Sequence, residues 1–254
     1  MSMKDKVVVV TGAAGGIGRA VVERFLKEGC HVVMADVESC ADLAGAMAQA
    51  EGAIGTAYAV TVNVGEADQV EALFAEVTQR FGKLDVLVNN AGITLRGQLD
   101  ELSLAEIQAV VATNLMGPIL CSRAALPMLR TQPGASIVNV ASELALIGAK
   151  GLQVYCATKG GVVSLTKAMA IDHAPDDIRV NAVCPGPVLT PMIEDRINAA
   201  DDPVLARQFY DQSTIMERVG LPHEIANAVW FAASPQATFM TGSTLVIDGG
   251  ATAA

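Results

Sequence analysis

TGAAGGIG, residues 11–18, joins an apolar run of β-branched residues to a segment with helical periodicity, IGRAVVERFLKEG at 17–29. Gly12, Gly16 and Gly18 remove side chains where the chain would turn tightly, where a phosphate would approach the backbone and where the helix would pack on a sheet. The free N–H groups of the first helical turn would then face a pyrophosphate. A glycine loop placed between a strand and a helix predicts a dinucleotide-binding βαβ unit.

Similar apolar runs recur along the chain. Continuous rather than alternating runs are typical of parallel strands that are covered on both faces. Helical segments such as 66–82 lie between them, and Gly29 and Gly82 stand where a helix C-terminus favours a left-handed residue. The alternation predicts an α/β fold with a doubly wound sheet and helices on both faces. The predicted strands are 6–11, 31–36, 56–63, 84–90, 135–141, 178–184 and 243–248.

No internal repeat, low-complexity tract or Pro/Gly-rich linker divides the sequence, which predicts a single domain over 1–254. The segment between Pro187 and Pro222 is helical in pattern and departs from the alternation of strands. Insertions after the carboxyl end of a strand lie where open α/β sheets bind ligands. We therefore expect a substrate lid at about 188–221, and a solvated surface excursion is the alternative.

Composition disfavours several functional classes. The formal net charge is −10, from 17 basic and 27 acidic residues, whereas nucleic acids and anionic membranes call for basic patches. Glycine or polar residues interrupt each apolar run, so we expect no membrane span, and the N-terminus has no apolar region typical of a signal peptide. The five cysteines are widely spaced, and the three histidines lack metal-ligand spacing. A cytoplasmic protein with reduced thiols and no metal site is expected.

The second predicted strand ends at Asp36. A carboxylate there can accept hydrogen bonds from both hydroxyls of an adenosine ribose and would repel a 2′-phosphate, although a turn aspartate is the alternative. Selection of NADP would call for a cation at this place, yet the neighbours are Gly15 and Val37, and Arg19 on the helix is the nearest one. The sequence therefore predicts NAD as the cofactor.

Tyr155 and Lys159 stand four positions apart in QVYCATKGG, residues 153–161. That spacing places them on one face of a helix, one turn apart. A tyrosine with a pKa near 10 is a poor base, and lowering that pKa to about 7 requires roughly 4 kcal/mol. A positive charge about 4–5 Å away supplies roughly 3–4 kcal/mol at an effective dielectric near 20. We therefore expect Lys159 to lower the pKa of Tyr155, and the pair to transfer protons to and from a substrate oxygen.

Several motifs together resemble the short-chain dehydrogenase/reductase family over essentially the whole chain. They are the glycine loop, NNAG at 89–92, YCATK at 155–159 and PGP at 185–187, with Asn114 and Ser142 in matching positions. The resemblance implies a Rossmann-type sheet of seven parallel strands and a homotetramer. It also implies that the last strand and its tail form a subunit contact, which would cover a sheet edge.

The resemblance also lends roles to matching residues. In the implied catalytic tetrad, Ser142 fixes the substrate oxygen beside Tyr155, and Asn114 positions a water that connects Lys159 to solvent. The implied cofactor-binding residues are Gly12, Gly15, Gly16, Ile17, Gly18, Asp36, Val37, Asn63, Val64, Asn90, Ala91, Gly92, Tyr155, Lys159, Pro185, Gly186, Val188 and Thr190. The substrate-facing residues, which suggest a mostly apolar pocket, are Ser142, Leu144, Leu152, Gln153, Pro187, Leu189 and Met192.

Two positions depart from the family pattern or vary within it. Asn63 stands where an aspartate is frequent near the adenine amino group, and its amide oxygen can still accept that hydrogen bond. Glu143 directly follows Ser142. It is either a polar determinant of substrate choice or a solvated or paired loop carboxylate, and we favour the second interpretation.

The leading hypothesis is an NAD-dependent dehydrogenase that acts on a secondary alcohol or its ketone. A 3-oxoacyl-(acyl-carrier-protein) reductase shares nearly every motif but would dock an acidic partner, and the predicted lid carries more acidic than basic residues. An NAD-binding sensor or scaffold is the alternative outside enzymes, and the intact tetrad argues against it. A long apolar helix at about 102–130 has more hydrophobic surface than one sheet face could bury, which favours a homotetramer.

Overall fold

The computed structural model describes residues 2–253 and contains one seven-stranded sheet. Its strands are β1 (Val7–Thr11), β2 (His31–Asp36), β3 (Thr56–Thr61), β4 (Val86–Asn89), β5 (Ser136–Val140), β6 (Arg179–Pro185) and β7 (Thr244–Ile247). Their order across the sheet is β3-β2-β1-β4-β5-β6-β7, and every neighbouring pair is parallel. Each predicted strand is found, and the predicted doubly wound architecture is confirmed.

Helices cover both faces of the sheet. They are α1 (Gly16–Lys27), α2 (Ala41–Ala48), α3 (Ala67–Phe81), α4 (Leu104–Val111), α5 (Gly117–Leu129), α6 (Gln153–His173), α7 (Pro191–Asn198), α8 (Pro203–Gln212) and α9 (Pro222–Ala233). Residues Val8 and Val10 of β1 share a core with α1 and α9, whereas Val7 and Val9 share the opposite core with α3 and α5. Because both faces are buried, the strands read as continuous apolar runs.

The strand order creates a crevice at the carboxyl edge of the sheet. β1 pairs with β2 on one side and with β4 on the other, so the connections that leave β1 and β4 run to opposite faces. Ligands bind at such a switch point in open α/β sheets. The glycine loop follows β1 directly, and the segment NNAG begins at the end of β4. The fold thus brings two of the sequence motifs together.

Helices α4 and α5 are joined by a π-helical turn, Ala112–Met116, and form the long helix expected at about 102–130. Over Leu104–Leu129 the most apolar window has a mean hydropathy of 1.4 and is only 28% buried. By length and composition this helix could cross a membrane, although the sequence predicts no membrane span. A single such helix is weak evidence for a span, because helices of soluble proteins pass the same test. This one packs on α3 and α6.

The segment expected to form a lid consists of α7 and α8, between β6 and α9. It leaves the body of the protein and returns to it at one place, because Val188 and Gly220 form an isolated parallel bridge. The Gly220 N–H donates to the carbonyl of Pro187 at 2.8 Å, and the Leu189 N–H donates to that of Gly220 at 2.9 Å. The two helices therefore have a common, hydrogen-bonded base.

Candidate active site

The glycine loop lies where side chains cannot fit. A Cβ atom on Gly12 would lie 2.8 Å from the Cα of Ala91, and one on Gly18 would lie 1.9 Å from the carbonyl oxygen of Gly12. Gly12 and Gly16 also have positive φ angles, +63° and +52°. Gly15 is the N-cap of α1 and has no side chain to accept from the first-turn N–H groups. These donors are available to an anion in the adjoining cavity.

Asn90 ties the end of β4 to the glycine loop. Its side-chain amide donates to the carbonyls of Thr11 and Gly12, both at 2.9 Å. The Thr11 hydroxyl in turn accepts from the N–H groups of Asn90 and Ala91, at 3.0 and 3.1 Å. The side chain of Asn90 therefore connects two loops that line the same cavity.

Asp36 lines the cavity at the end of β2, with its carboxylate held by backbone N–H groups. Oδ2 accepts from Ala14 at 2.8 Å, and Oδ1 accepts from Glu38 at 3.2 Å. Arg19, the nearest cation in the sequence, pairs with Glu23 on α1 at 3.3 Å. The carboxylate thus has a fixed direction, and the described contacts give it no basic partner.

Asn63 uses its side chain within its own loop. The amide oxygen accepts from the Gly65 N–H at 3.0 Å, and the Asn63 N–H donates to Gln69 at 2.9 Å. Asn63 and Val64 both line the cavity. Because an amide oxygen has two lone pairs, the expected contact with an adenine remains compatible with this turn.

Helix α6 carries Tyr155 and Lys159 on one face, as their spacing predicts. The Lys159 ammonium is buried, donates to the carbonyl of Val140 at 2.9 Å, and lies 5.8 Å from the centre of the Tyr155 ring. Ser142 follows β5, and its hydroxyl accepts from the Leu144 N–H at 3.1 Å. These three side chains meet at one wall of the cavity.

Asn114 lies behind that wall, within the π-helical turn, and is fully buried. Its amide exchanges two hydrogen bonds with the backbone of Ile93, each 2.8 Å long. The amide nitrogen also lies 3.4 Å from the Thr158 hydroxyl. The side chain of Asn114 therefore holds the loop after β4 against α6.

Burial dominates the ionisation of this site. It raises the pKa of Tyr155, and it lowers the pKa of Lys159 to about 8. A hydrogen bond with Ser142 and the charge of Arg196 oppose the rise at Tyr155, whereas Cys156 and Glu143 add to it. The expectation that Lys159 lowers the pKa of Tyr155 is wrong for the protein's own groups, because both side chains lose hydration together.

The cavity has a volume of about 640 Å³ and joins most of the predicted residues. Those that line it are Gly12, Gly15, Gly16, Ile17, Asp36, Val37, Asn63, Val64, Asn90, Ala91, Gly92, Ser142, Leu144, Leu152, Tyr155, Lys159, Pro185, Gly186, Pro187, Val188, Thr190 and Met192. Gly18 and Asn114 lie in the packed structure behind it.

Two residues expected to face the substrate do not line this cavity. Gln153 lies in a separate hollow with Leu99 and Leu115, because two helical positions place it about 200° around α6 from Tyr155. Leu189 lies between two lining residues in an extended segment, where successive side chains point to opposite sides. The local geometry of each element accounts for both corrections.

Glu143 faces the cavity and is half-buried, so the expectation of a solvated or paired carboxylate is wrong. Its Oε2 atom is inaccessible and has no hydrogen-bond partner among the described residues. Burial, with a smaller contribution from the charge of Asp248, raises the pKa of Glu143 to about 7. A carboxyl group beside Ser142 is thus partly protonated near pH 7.

Sequence reasoning also missed Arg196, which projects from α7 into the cavity and donates to the Thr94 hydroxyl. The sequence did contain an indication of Arg196. It lies four positions after Met192, which was predicted to face the substrate, and therefore on the same helical face. Arg96, in the loop after β4, also lines the cavity, and no periodicity pointed to it. The cavity therefore carries more charge than the sequence suggested.

Comparisons with known proteins agree with this fold. The family model described as enoyl-(acyl carrier protein) reductase matches residues 12–252. The chain is 38% identical over 255 residues to meso-2,3-butanediol dehydrogenase of Serratia marcescens, covering 100% of this chain and 97% of that protein. It is 37% identical over 250 residues to a 3-oxoacyl-(acyl-carrier-protein) reductase of Thermotoga maritima, covering 98% and 99%.

Solved structures of similar proteins have the same fold. Aldohexose dehydrogenase of Thermoplasma acidophilum superposes with a TM-score of 0.90 at 35% identity, over 99% of this chain and 96% of that one. A short-chain type dehydrogenase/reductase of Mycobacterium marinum superposes with a TM-score of 0.91 at 31% identity, over 100% and 98%. The similarity extends over the whole length of the chains compared.

Proposed function

This chain belongs to the short-chain dehydrogenase/reductase family, and we propose that it is an NAD-dependent member that transfers a hydride between the nicotinamide cofactor and a secondary alcohol or its ketone. The observation that carries the choice of NAD is Asp36, whose carboxylate is held in the cavity by two backbone N–H groups without a basic partner. A 2′-phosphate beside this carboxylate would meet like charge, whereas ribose hydroxyls would donate to it.

The residues of the cavity fit a dinucleotide. The uncapped N-terminus of α1 and the glycine loop would bind the pyrophosphate, and Asp36 would bind the adenosine ribose. Lys159 would bind the nicotinamide ribose. Pro185, Gly186, Val188 and Thr190 would hold the carboxamide side. When bound, the nicotinamide supplies the hydride acceptor or donor.

The chain's own groups handle the proton. The Tyr155 hydroxyl donates to the carbonyl oxygen during reduction and takes the proton back during oxidation, while Ser142 orients that oxygen. The raised pKa of Tyr155 keeps the phenol protonated, and oxidation requires positive charge that offsets burial. Lys159 and Arg196 carry such charge on the protein side. Asn114 keeps the loop after β4 against α6, beside the water path that the resemblance implies.

The segment at 188–221 acts in this proposal as a substrate lid. Its α7 places Met192 and Arg196 in the cavity, and its base is the bridge between Val188 and Gly220. Closure over the cavity would exclude water during hydride transfer. We regard the chain as one catalytic domain, because the lid and the glycine loop line one cavity.

We also propose a cytoplasmic homotetramer. The five cysteines are unpaired, which supports a reducing compartment. Apolar side chains on the long helix are exposed, including Leu104 at 69% and Met116 at 40%. Near the sheet edge formed by β7, Phe239 is fully exposed. Subunit contacts would cover both surfaces.

The second candidate is a 3-oxoacyl-(acyl-carrier-protein) reductase, which the similarity to the Thermotoga maritima protein supports. An acidic carrier would need a basic rim, and the lid carries Glu194, Asp195, Asp201 and Asp202 on its exposed surface. NADPH-dependent reduction of a 3-oxoacyl thioester, at higher efficiency than any alcohol oxidation with NAD, would favour this candidate.

The test measures NAD and NADP reduction over diols, aldoses, cyclic alcohols and hydroxy acids. We expect kcat/KM to favour NAD by at least about tenfold, which corresponds to about 1.4 kcal/mol. Asp36→Ala combined with Val37→Arg narrows or reverses the ratio, whereas Asp42→Ala, an exposed carboxylate on α2, leaves it unchanged. Equal efficiency of the wild type with both cofactors would overturn the NAD assignment.

The assignment of the proton donor is tested separately. Tyr155→Phe removes only the hydroxyl, so turnover is lost while NAD still binds in calorimetry. Near-normal turnover of this variant on a confirmed substrate would show that another group transfers the proton.

A further inference from the structure

The lid contains three arginines, and only one of them faces the cavity. Arg207 pairs with Asp211 at 3.0 Å, and Arg218 pairs with Glu224 at 2.7 Å. Arg196 has two acidic neighbours in sequence, Glu194 and Asp195, yet forms no ion pair among residues 2–253. Helical neighbours one and two positions away point to other faces, so the geometry of α7 separates Arg196 from both acids.

The side chain of Arg196 has one hydrogen-bond partner and no ion pair among the described residues. The residue is half-buried, and its guanidinium donates to the Thr94 hydroxyl, whereas an arginine has five N–H donors. The cavity lining also includes the apolar side chains of Met192, one turn earlier on α7, and of Ile93, next to Thr94. A partly desolvated cation without a counterion is costly, so a negatively charged partner in the cavity would stabilise it.

Arg196 also lies close to the reacting end of the cavity. Its charge acts on Tyr155 strongly enough to oppose the rise in the pKa of the phenol. Of the other charged groups lining the cavity, Asp36 and Lys159 belong to the proposed cofactor site, which leaves Glu143 and Arg96 at the substrate end.

Neither of those two groups neutralises Arg196. Glu143 is not within ion-pair distance, and its raised pKa keeps it partly protonated near neutral pH. Arg96 is exposed and adds positive charge at the same end of the cavity. Arg196 therefore has no counterion among the described residues that line the cavity.

We propose that Arg196 binds an anionic group of the substrate, so that the reacting alcohol belongs to a hydroxy acid and the reduced carbonyl to the corresponding keto acid. This inference rests on the proposed function, because the hydroxyl must reach Tyr155 while the carboxylate reaches the lid. Arginine binds carboxylates through two parallel hydrogen bonds, which also orients the substrate. Binding the anion would tie α7 to the substrate and so favour a closed lid.

The test compares acids with their methyl esters, which lack the charge. The wild type and the variants Arg196→Met and Arg196→Lys oxidise 2-hydroxybutanoate, 3-hydroxybutanoate and both esters with NAD. The control is Arg207→Met, which removes a lid arginine that pairs with Asp211 and does not line the cavity. Calorimetry measures NAD binding to each protein.

We expect the wild type to prefer at least one acid over its ester. Arg196→Met lowers kcat/KM for that acid by about tenfold to hundredfold, mainly through KM, because a charge-assisted hydrogen bond is lost. The ester loses much less, because there only the effect of the Arg196 charge on Tyr155 is removed, and Arg196→Lys restores part of the loss because it keeps the charge without the planar fork of donors. Arg207→Met keeps the wild-type kcat/KM for acid and ester. The affinity for NAD is the same in all of these proteins.

The inference is overturned by preference for the ester, by an equal loss for acid and ester in Arg196→Met, or by weaker NAD binding in that variant, which would make Arg196 a cofactor ligand. Oxidation of neutral alcohols alone would overturn the anion site and leave the proposed function intact. If the protein oxidised no alcohol with NAD, the proposed function would be wrong. Calorimetric binding of 3-oxobutanoate and 2-oxobutanoate to Tyr155→Phe with NADH, with and without Arg196→Met, then decides the anion site by itself.

Discussion

Substitution of Gly18 by alanine should open the loop that the cofactor requires. The added Cβ would lie 1.9 Å from the Gly12 carbonyl oxygen and 2.6 Å from the side-chain nitrogen of Asn90. The first neighbour is backbone, so the glycine loop itself must move and weaken the hydrogen bonds between Asn90 and this loop. Overpacking of this kind costs roughly 2–3 kcal/mol, or about 4–12 °C in melting temperature for a chain of this size.

Two matched substitutions separate folding from binding. Gly45→Ala adds a methyl group to an exposed position within α2 where nothing lies within 4 Å, so it should stabilise the protein by about 1 kcal/mol. The methyl group added by Gly15→Ala likewise lies near no protein atom, and the φ of −140° at Gly15 is acceptable for any residue. Gly15 nevertheless lines the cavity. The substitution should therefore leave the melting temperature nearly unchanged and weaken NAD binding.

Thermal unfolding and NAD calorimetry on the three variants test this reasoning. Gly18→Ala should lower both the melting temperature and the affinity for NAD, the latter by at least about tenfold. Wild-type stability of Gly18→Ala would refute the packing argument. Wild-type NAD affinity of Gly15→Ala would refute the position of the pyrophosphate.

Three further predictions concern the site and the assembly. Lys159→Ala should reduce both NAD affinity and turnover by about tenfold or more, whereas Tyr155→Phe should reduce turnover alone; calorimetry beside steady-state kinetics separates them. The folded pKa of Glu143, about 7, lies above its ordinary value of 4.5, so ionisation costs stability as pH rises through 7. In denaturant titrations, Glu143→Gln should therefore be more stable than the wild type by about 1–2 kcal/mol at pH 8, after allowance for solvent screening, and equally stable near pH 4.5. A difference in stability that does not change with pH would contradict this. Sedimentation at micromolar concentration should show a tetramer, and a stable monomer of 26.3 kDa would exclude it.

Local sequence patterns predicted the helices and strands and the main residues of the candidate site. Continuous apolar runs indicated parallel strands, and Gly29 and Gly82 indicated helix ends, where both have positive φ angles. The four-residue spacing of Tyr155 and Lys159 placed them on one helical face, and the structure has them there. Such inferences succeed because 3.6-residue and two-residue periodicities depend only on the chain's own geometry.

The sequence by itself therefore determined the strand–helix alternation, the glycine loop and the order of the motifs that resemble the family. The tertiary structure decided which side chains share the cavity: it brought in Arg196 and Glu143 and left Gln153 outside. It also decided the direction of the pKa shift at Tyr155, where burial outweighs the nearby cation. Desolvation is the sum of every neighbour that displaces water, and those neighbours come from strands and loops far apart in sequence, so no local spacing encodes it.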